Sequence, residues 1–347
     1  MKIVVLAGGL SSERDVSLSS SGRIANALTE NGHQVLVVDS FIGLPEIDSF
    51  EALSAKYHRD DYSCPIPAVA PDLEALQRQY GVGGAVIGPN VLEACRLADV
   101  VFIGLHGAPG ENGQVQAMLD MFGVVYTGSG FASSLLAMDK VISKQLITLA
   151  GVPTAPYQVF DIAELSAEEL LAGLEGIGLP FVVKPRNGGS SVGVTIVKTA
   201  AELAQALAIA RVYETEVLVE PYIAGREFSV GVLGDRVLPA IEVIPPAEFF
   251  DYASKYQGTS SEICPADIPQ ELETALRAQA LKAHRTLGLG SYSRADFRVD
   301  AQGNLYWLET NSLPGMSAAS LVPQEAAVAG IGYNELCEMI VALAIAK

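Results

Sequence analysis

The chain has 347 residues, half of them hydrophobic, which is more than one ordinary core needs and sets disorder aside in favour of two or three packed domains. Its formal net charge of −18 argues against nucleic acid or an anionic membrane surface as the main partner, because both need a basic face. Four cysteines, Cys64, Cys95, Cys264 and Cys337, stand far apart without C-x-x-C spacing, so reduced thiols in a cytoplasmic protein are expected, and no structural zinc. The opening apolar run ends at Ala7, too short for a secretory signal, and the apolar tail Met339–Ala346 is too short to span a bilayer.

In chain order, "KIVVLAGG" reads as a buried parallel strand, "SSERDVSLSSSGRIANALTENG" as a loop and helix closed by Asn31-Gly32, and "HQVLVVDS" as the next strand. This β-α-β opening is followed, from about 41 to 90, by a less regular segment to which no chemistry can be assigned. "ADVVFIGLHG" is a further buried strand whose glycine-rich exit "LHGAPGENG" suits a ligand-facing loop at the carboxyl edge of a parallel sheet. One helix is expected over 133–150. Short strands then follow in "LPFVVKP", "VGVTIV", "EVLVEPYI" and "REFSVGVL", an α+β texture after the α/β opening. The closing "NELCEMIVALAIAK" has helical spacing and an apolar face, and reads as packing.

Three stretches carry chemistry. "KPRNGGSSVGV" sets Lys184 at a strand end before a glycine-serine loop, whose exposed N–H groups suit phosphate oxygens, although the order is not that of a Walker A loop. "GSYSRADFRVD" puts Arg294 and Asp296 two residues apart on one strand face. In "LYWLETNSLPGM", Glu309 and Asn311 share a face in the same way. A sheet aligning Asp296 with Glu309 and Asn311 would offer three oxygen ligands suited to Mg²⁺, and Arg294 would then face the reacting group.

Together "GGLSSERDVS", "LHGAPGENG", "YTGSG", "MDK", "VVKP…GGSSVGV", "FFDYASKY", "SRADF" and "LETNSLPGMSAASLVP" occur in the order found in the D-alanine–D-alanine ligases of the ATP-grasp superfamily, which the chain resembles over essentially its full length. The resemblance implies an amino-terminal Rossmann-like (pre-ATP-grasp) domain at 1–128, then a two-part ATP-grasp fold with a central domain at 129–220 and a carboxyl-terminal domain at 221–347 that carries the metal site and a lid loop at about 246–265. It implies ATP-dependent joining of two D-alanines through an acyl phosphate, in the cytoplasm, with two Mg²⁺ ions or Mn²⁺ in their place. It leaves room for a homodimer.

Carried over residue by residue, the resemblance gives Lys140, Lys184 and Lys255 to the ATP phosphates, Glu220 and the backbone of Pro221 and Ile223 to adenine, and Glu227 to ribose. Asp296, Glu309 and Asn311 match the metal ligands, with Glu309 bridging. Arg294 and the N–H of Gly315 match the oxyanion donors, and Ser320 and Leu321 the second-alanine subsite. Glu13 matches the residue that takes the first ammonium, tied through Ser190 to Tyr256, and His106 lies near the same substrate. Two departures stand out. Pro221 replaces a frequent Lys but keeps its carbonyl, and Asn112 stands where Asp is usual. The alternatives are D-Ala-D-lactate or D-Ala-D-Ser specificity, against which Tyr256 speaks in the first case, or a nucleotide-binding regulator without catalysis.

Overall fold

β1 (Lys2–Ala7) lies between β2 (Gln34–Asp39) and β3 (Val100–Ile103), parallel to both. Five consecutive buried residues follow Lys2, the signature of a strand covered on both faces. Helix Arg14–Glu30 packs on this sheet, and Gly32, at φ +87, lets the chain turn back into β2. The computed structural model describes residues 1–67, 69–189, 191–244 and 261–346.

The second sheet is antiparallel, with order β4-β7-β5-β6: β4 (Gln158–Asp161), β5 (Phe181–Pro185), β6 (Thr195–Val197) and β7 (Glu216–Pro221). In the third, β8 (Arg226–Leu233), β9 (Arg236–Val237), β10 (Ile241–Ile244), β11 (Ser261–Ile263), β12 (Tyr292–Val299) and β13 (Leu305–Asn311) pair antiparallel in the order β11-β10-β8-β12-β13, with β9 beside β8. Alternation along β8 sends Phe228, Val230 and Val232 into a core with Leu276, Ala280 and Ala283 of helix Gln270–Thr286. Glu227, Ser229 and Gly231 are left on the other face.

Two local features depart from the sequence reading. The single helix expected over 133–150 is two, Phe131–Met138 and Lys140–Leu149. Asp139, extended at φ −81 and ψ 102, separates them because its Oδ1 accepts the N–H groups of Val141 and Ile142 at 3.0 Å each, an N-cap that starts the second helix afresh. The irregular segment after residue 41 contains helices Phe50–Lys56 and Leu73–Tyr80, with Tyr62 buried between them against the first core.

The closing helix forms as expected, at Tyr333–Ile345, and packs against helix Arg14–Glu30. Leu336, Cys337, Ile340 and Val341 share one apolar cluster with Ile3, Leu6 and Ile24, so residues from opposite ends of the chain complete the first core. No single helix among the described residues is long and apolar enough to cross a membrane.

Candidate active site

The polar face of the third sheet is an ordered grid. Across β8, β12 and β13 the backbone register sets Glu227 opposite Arg298, Ser229 opposite Asp296 opposite Glu309, and Gly231 opposite Arg294 opposite Asn311. The alignment of Asp296 with Glu309 expected from the sequence is present. The register slips once, since Asp296 pairs with Glu309 but Phe297 pairs with Trp307, leaving Leu308 as the extra residue of a β-bulge. Strict alternation would send Trp307 to the same face as Glu309. The bulge instead buries Trp307 in the core and turns both Leu308 and Glu309 into the cleft.

Two adjoining hollows open over this face. The larger is lined by Lys140, Lys184, Gly188, Glu220, Pro221, Ile223, Glu227, Asp296 and Glu309; the smaller by Glu13, His106, Asn311, Gly315 and Ser320. Gly189, Arg294 and Leu321 line both, so Arg294 stands at the seam. Every expected site residue among those described therefore borders one hollow or the other. Ser190, Lys255 and Tyr256 lie outside the described residues, as does most of the expected lid.

Asp296 is heavily engaged. Its Oδ1 accepts from Ser229 Oγ at 2.5 Å and Arg294 Nε at 2.8 Å, and its Oδ2 from Arg294 Nη2 at 2.8 Å and Asn311 Nδ2 at 3.1 Å. Four donors already fill the acceptor directions of one carboxylate. Two carboxylates and an amide oxygen on neighbouring strands are nevertheless a donor set that fits Mg²⁺, provided one of those donors gives way. Behind Arg294, Glu325 of helix Leu321–Val328 is fully buried and takes the N–H of Gly231 at 2.7 Å. Burial pushes its carboxyl up to about 8. A side chain at Gly231 would collide with it, because a Cβ there would lie 2.4 Å from Glu325 Oε2.

In the larger hollow, Glu220 is an ion-paired carboxylate 2% exposed. Lys184 of β5 holds Oε1, and Lys144, itself buried, holds Oε2 at 2.8 Å from the helix side. Burial opposes ionisation of Glu220, yet the two ammonium groups outweigh it and hold the carboxyl at about 2. Lys140 Nζ bonds the carbonyl of Gly188, tying the start of its helix to the glycine-rich loop. Glu227 pairs with Arg298 Nη2 at 3.0 Å.

In the smaller hollow, His106 Nδ1 lies 3.8 Å from Glu111 Oε1, while Glu111 Oε2 accepts the N–H of Gly107 at 2.9 Å. Burial lowers the proton affinity of the imidazole, and Glu111 and Glu13 raise it by more, so the net shift is upward. Glu13 is the N-cap residue of helix Arg14–Glu30, but its side chain makes no cap bond, so a simple capping role is set aside. Ser320 Oγ accepts the N–H of Ser317 at 3.0 Å.

Sequence reading missed Lys144, Arg298, Glu111 and Ile66. Lys144 stands four residues after Lys140, one helical turn on, and Arg298 two after Asp296, so both were within reach of periodicity. Ile66, from the segment given no chemistry, lines the smaller hollow, and no local signal announces it.

Models of two domain families match, "D-ala D-ala ligase N-terminus" over residues 2–129 and "D-ala D-ala ligase C-terminus" over 146–342. The chain belongs to the D-alanine–D-alanine ligase family. Relatives in the family include the D-alanine–D-alanine ligases of Pediococcus pentosaceus, 41% identical with 98% of this chain and 97% of the relative covered, and Geobacter sulfurreducens, 40% identical with 98% and 92% covered. A crystal structure of the Bacillus anthracis ligase complexed with ATP is similar with a TM-score of 0.75 and 29% identity, covering 100% of this chain and 98% of that one. Its fold thus extends over all three sheets, and the ATP-grasp architecture expected for the last two is that of the family.

Proposed function

We propose that the cleft joins two D-alanines to D-alanyl-D-alanine at the expense of ATP, through an acyl phosphate, in the cytoplasmic synthesis of peptidoglycan precursors. A free carboxylate resists amines because its leaving group would be oxide. Moving the γ-phosphoryl of ATP onto a carboxylate oxygen of the first D-alanine releases ADP and replaces that leaving group by phosphate. The amine of the second D-alanine then attacks the carbonyl carbon, and phosphate departs.

The observation that carries this reading is the position of Arg294 at the seam of two hollows, one presenting Lys140 and Lys184 beside the glycine-rich loop, the other Glu13 and His106. A group passing from a nucleotide in the first to an amino acid in the second crosses that guanidinium, which suits an oxyanion donor. In this reading Glu220 and the backbone of Pro221 and Ile223 take the adenine, Glu227, steadied by Arg298, takes the ribose, and Lys140, Lys184 and Lys255 offset the phosphates. Glu13, tied through Ser190 to Tyr256, takes the first ammonium with His106 nearby, the N–H of Gly315 aids Arg294, and Ser320 takes the second carboxylate. Ile66, Leu313 and Leu321 give the small hollow apolar walls that suit a methyl side chain.

Asp296, Glu309 and Asn311 would hold two Mg²⁺ ions, or Mn²⁺, which when bound supply positive charge against the transferring phosphoryl group. The division at 1–128, 129–220 and 221–347, with ATP between the last two units, belongs to the same reading. Phosphate release assayed with D-alanine, L-alanine, D-serine and D-lactate tests it. D-alanine alone should support rapid release and yield the dipeptide; preference for D-lactate or D-serine would move the chain to another specificity, and no release would leave a nucleotide-binding regulator.

A further inference from the structure

Glu220 carries two ammonium groups that face different surroundings. Lys184 lines the larger hollow, whereas Lys144 does not reach it and is 1% exposed. Lys144 Nζ lies 2.8 Å from Glu220 Oε2, donates to Thr154 Oγ1 at 2.6 Å, and stands 5.6 Å from the centre of the Tyr157 ring. Thr154 Oγ1 in turn donates to the carbonyl of Trp307 at 2.8 Å, two residues before Glu309. The ammonium is therefore held from three sides in a place where no solute meets it.

On the reading of this hollow as the ATP site, Lys184 has two claims on it: Glu220 and the incoming phosphates. A carboxylate as buried as Glu220 cannot be left without a counter-charge, since stripping one partner from a buried ion pair is strongly unfavourable. We propose that Lys144 is a positioning residue, a fixed counter-ion behind Glu220 that keeps this carboxylate compensated while Lys184 transfers from it to the phosphates of the nucleotide. Before binding, two ammonium groups share one carboxylate. Afterwards Glu220 and Lys144 form a neutral pair and Lys184 is released to the phosphates. Without Lys144, Glu220 retains Lys184 and the nucleotide has to compete for it.

The proposal makes the role of Lys144 conditional on the charge of Glu220, which a packing role would not be. Calorimetric binding of a nonhydrolysable ATP analogue with Mg²⁺, together with steady-state phosphate release, would be compared in wild type, K144M, K144R, E220Q and K144M/E220Q. K144M should weaken analogue binding roughly 10- to 100-fold, the scale of one uncompensated charged hydrogen bond, with KM for D-alanine unchanged. K144R should restore most of the loss. In the E220Q background, deleting Lys144 should cost little or nothing, giving strong coupling between the two substitutions. Additive losses, or a shared rise in KM for D-alanine, would overturn the proposal. If K144M alone fails to fold, the pair E220Q and K144M/E220Q still decides: equal affinity supports it, a further loss sinks it. Failure of the wild type to bind the analogue would instead remove the ATP-site assignment beneath it.

Discussion

Arg294 grips Asp296 through two parallel hydrogen bonds of 2.8 Å, and Asp296 is the residue that the sheet register sets opposite Glu309. A cation fixed to the protein thus occupies the carboxylate that a divalent ion would use. Arg294→Ala should consequently bind Mg²⁺ or Mn²⁺ more tightly than the wild type when no nucleotide is present, while losing about 10²- to 10³-fold in turnover as an oxyanion donor disappears. Metal titration by calorimetry checks the first half; weaker metal binding in the variant would show that the guanidinium does not compete for Asp296.

Glu309 and Asn311 face the cleft from the same strand but differ in charge. Glu309→Gln should cripple turnover while shifting the unfolding midpoint little, because Glu309 is only partly buried and the bulge that aims it is backbone. Asn311→Ala should raise the Mg²⁺ concentration needed for half-maximal rate with a smaller loss at saturation, since water can replace a neutral ligand. Near-normal rates for Glu309→Gln at ordinary Mg²⁺ would remove it from the metal set.

A Cβ at Gly315 would lie 2.6 Å from Ser320 Oγ, so the two residues can hold their places only if one has no side chain. Gly315→Ala should push Ser320 aside and raise KM for the second D-alanine about tenfold, the loss of roughly one charge-assisted hydrogen bond, with ATP affinity intact. The kinetics of D-alanine at saturating ATP report this directly.

Glu325 supplies a pH dependence of known sign. Its carboxyl ionises near 8 when folded against an ordinary value of 4.5, so folding holds a proton that the unfolded chain gives up. Stability is lost as pH rises from about 4.5 to 8 and stays constant above that. Glu325→Gln removes this loss and should gain on the wild type by up to about 1.4 kcal/mol per pH unit across that window. Urea unfolding at pH 5, 6.5 and 8 measures the gap, and a gap that does not widen with pH would mean that Glu325 ionises normally.

The parts of the fold and site that could be read from the sequence are those written in short-range pattern. Five apolar residues in a row announced β1, and alternation put Glu309 and Asn311 on one face. The same rule fails one residue earlier, because nothing local marks Leu308 as a bulge; only the demand that Trp307 be buried beside Phe297 does. Asp139 is hidden as a helix breaker for a similar reason. Its capping bonds are local, but Asp is tolerated inside helices, and what commits it to the break is Arg186, which donates to its Oδ2 from 47 residues away. Ile66 reaches the small hollow through an anchor at Tyr62, whose N–H bonds to Asn26, a contact no window of sequence contains.

The sharing of one core by Ile24 and Ile340 has a bearing on biosynthesis. As the chain leaves the ribosome, the first parallel sheet is complete once β3 ends at Ile103, but the apolar flank that receives helix Tyr333–Ile345 has no cover until roughly 230 further residues have been made. That flank is open to chaperones, or to another nascent chain, for most of the synthesis. The hydrogen bonds that seal it, such as Asn31 Nδ2 to the carbonyl of Asn334 at 3.0 Å, can form only near the end. The sheet that presents Glu13 and His106 is thus finished last although it is made first, and an amino-terminal fragment expressed alone should stick to itself unless helix Tyr333–Ile345 is added back as a peptide.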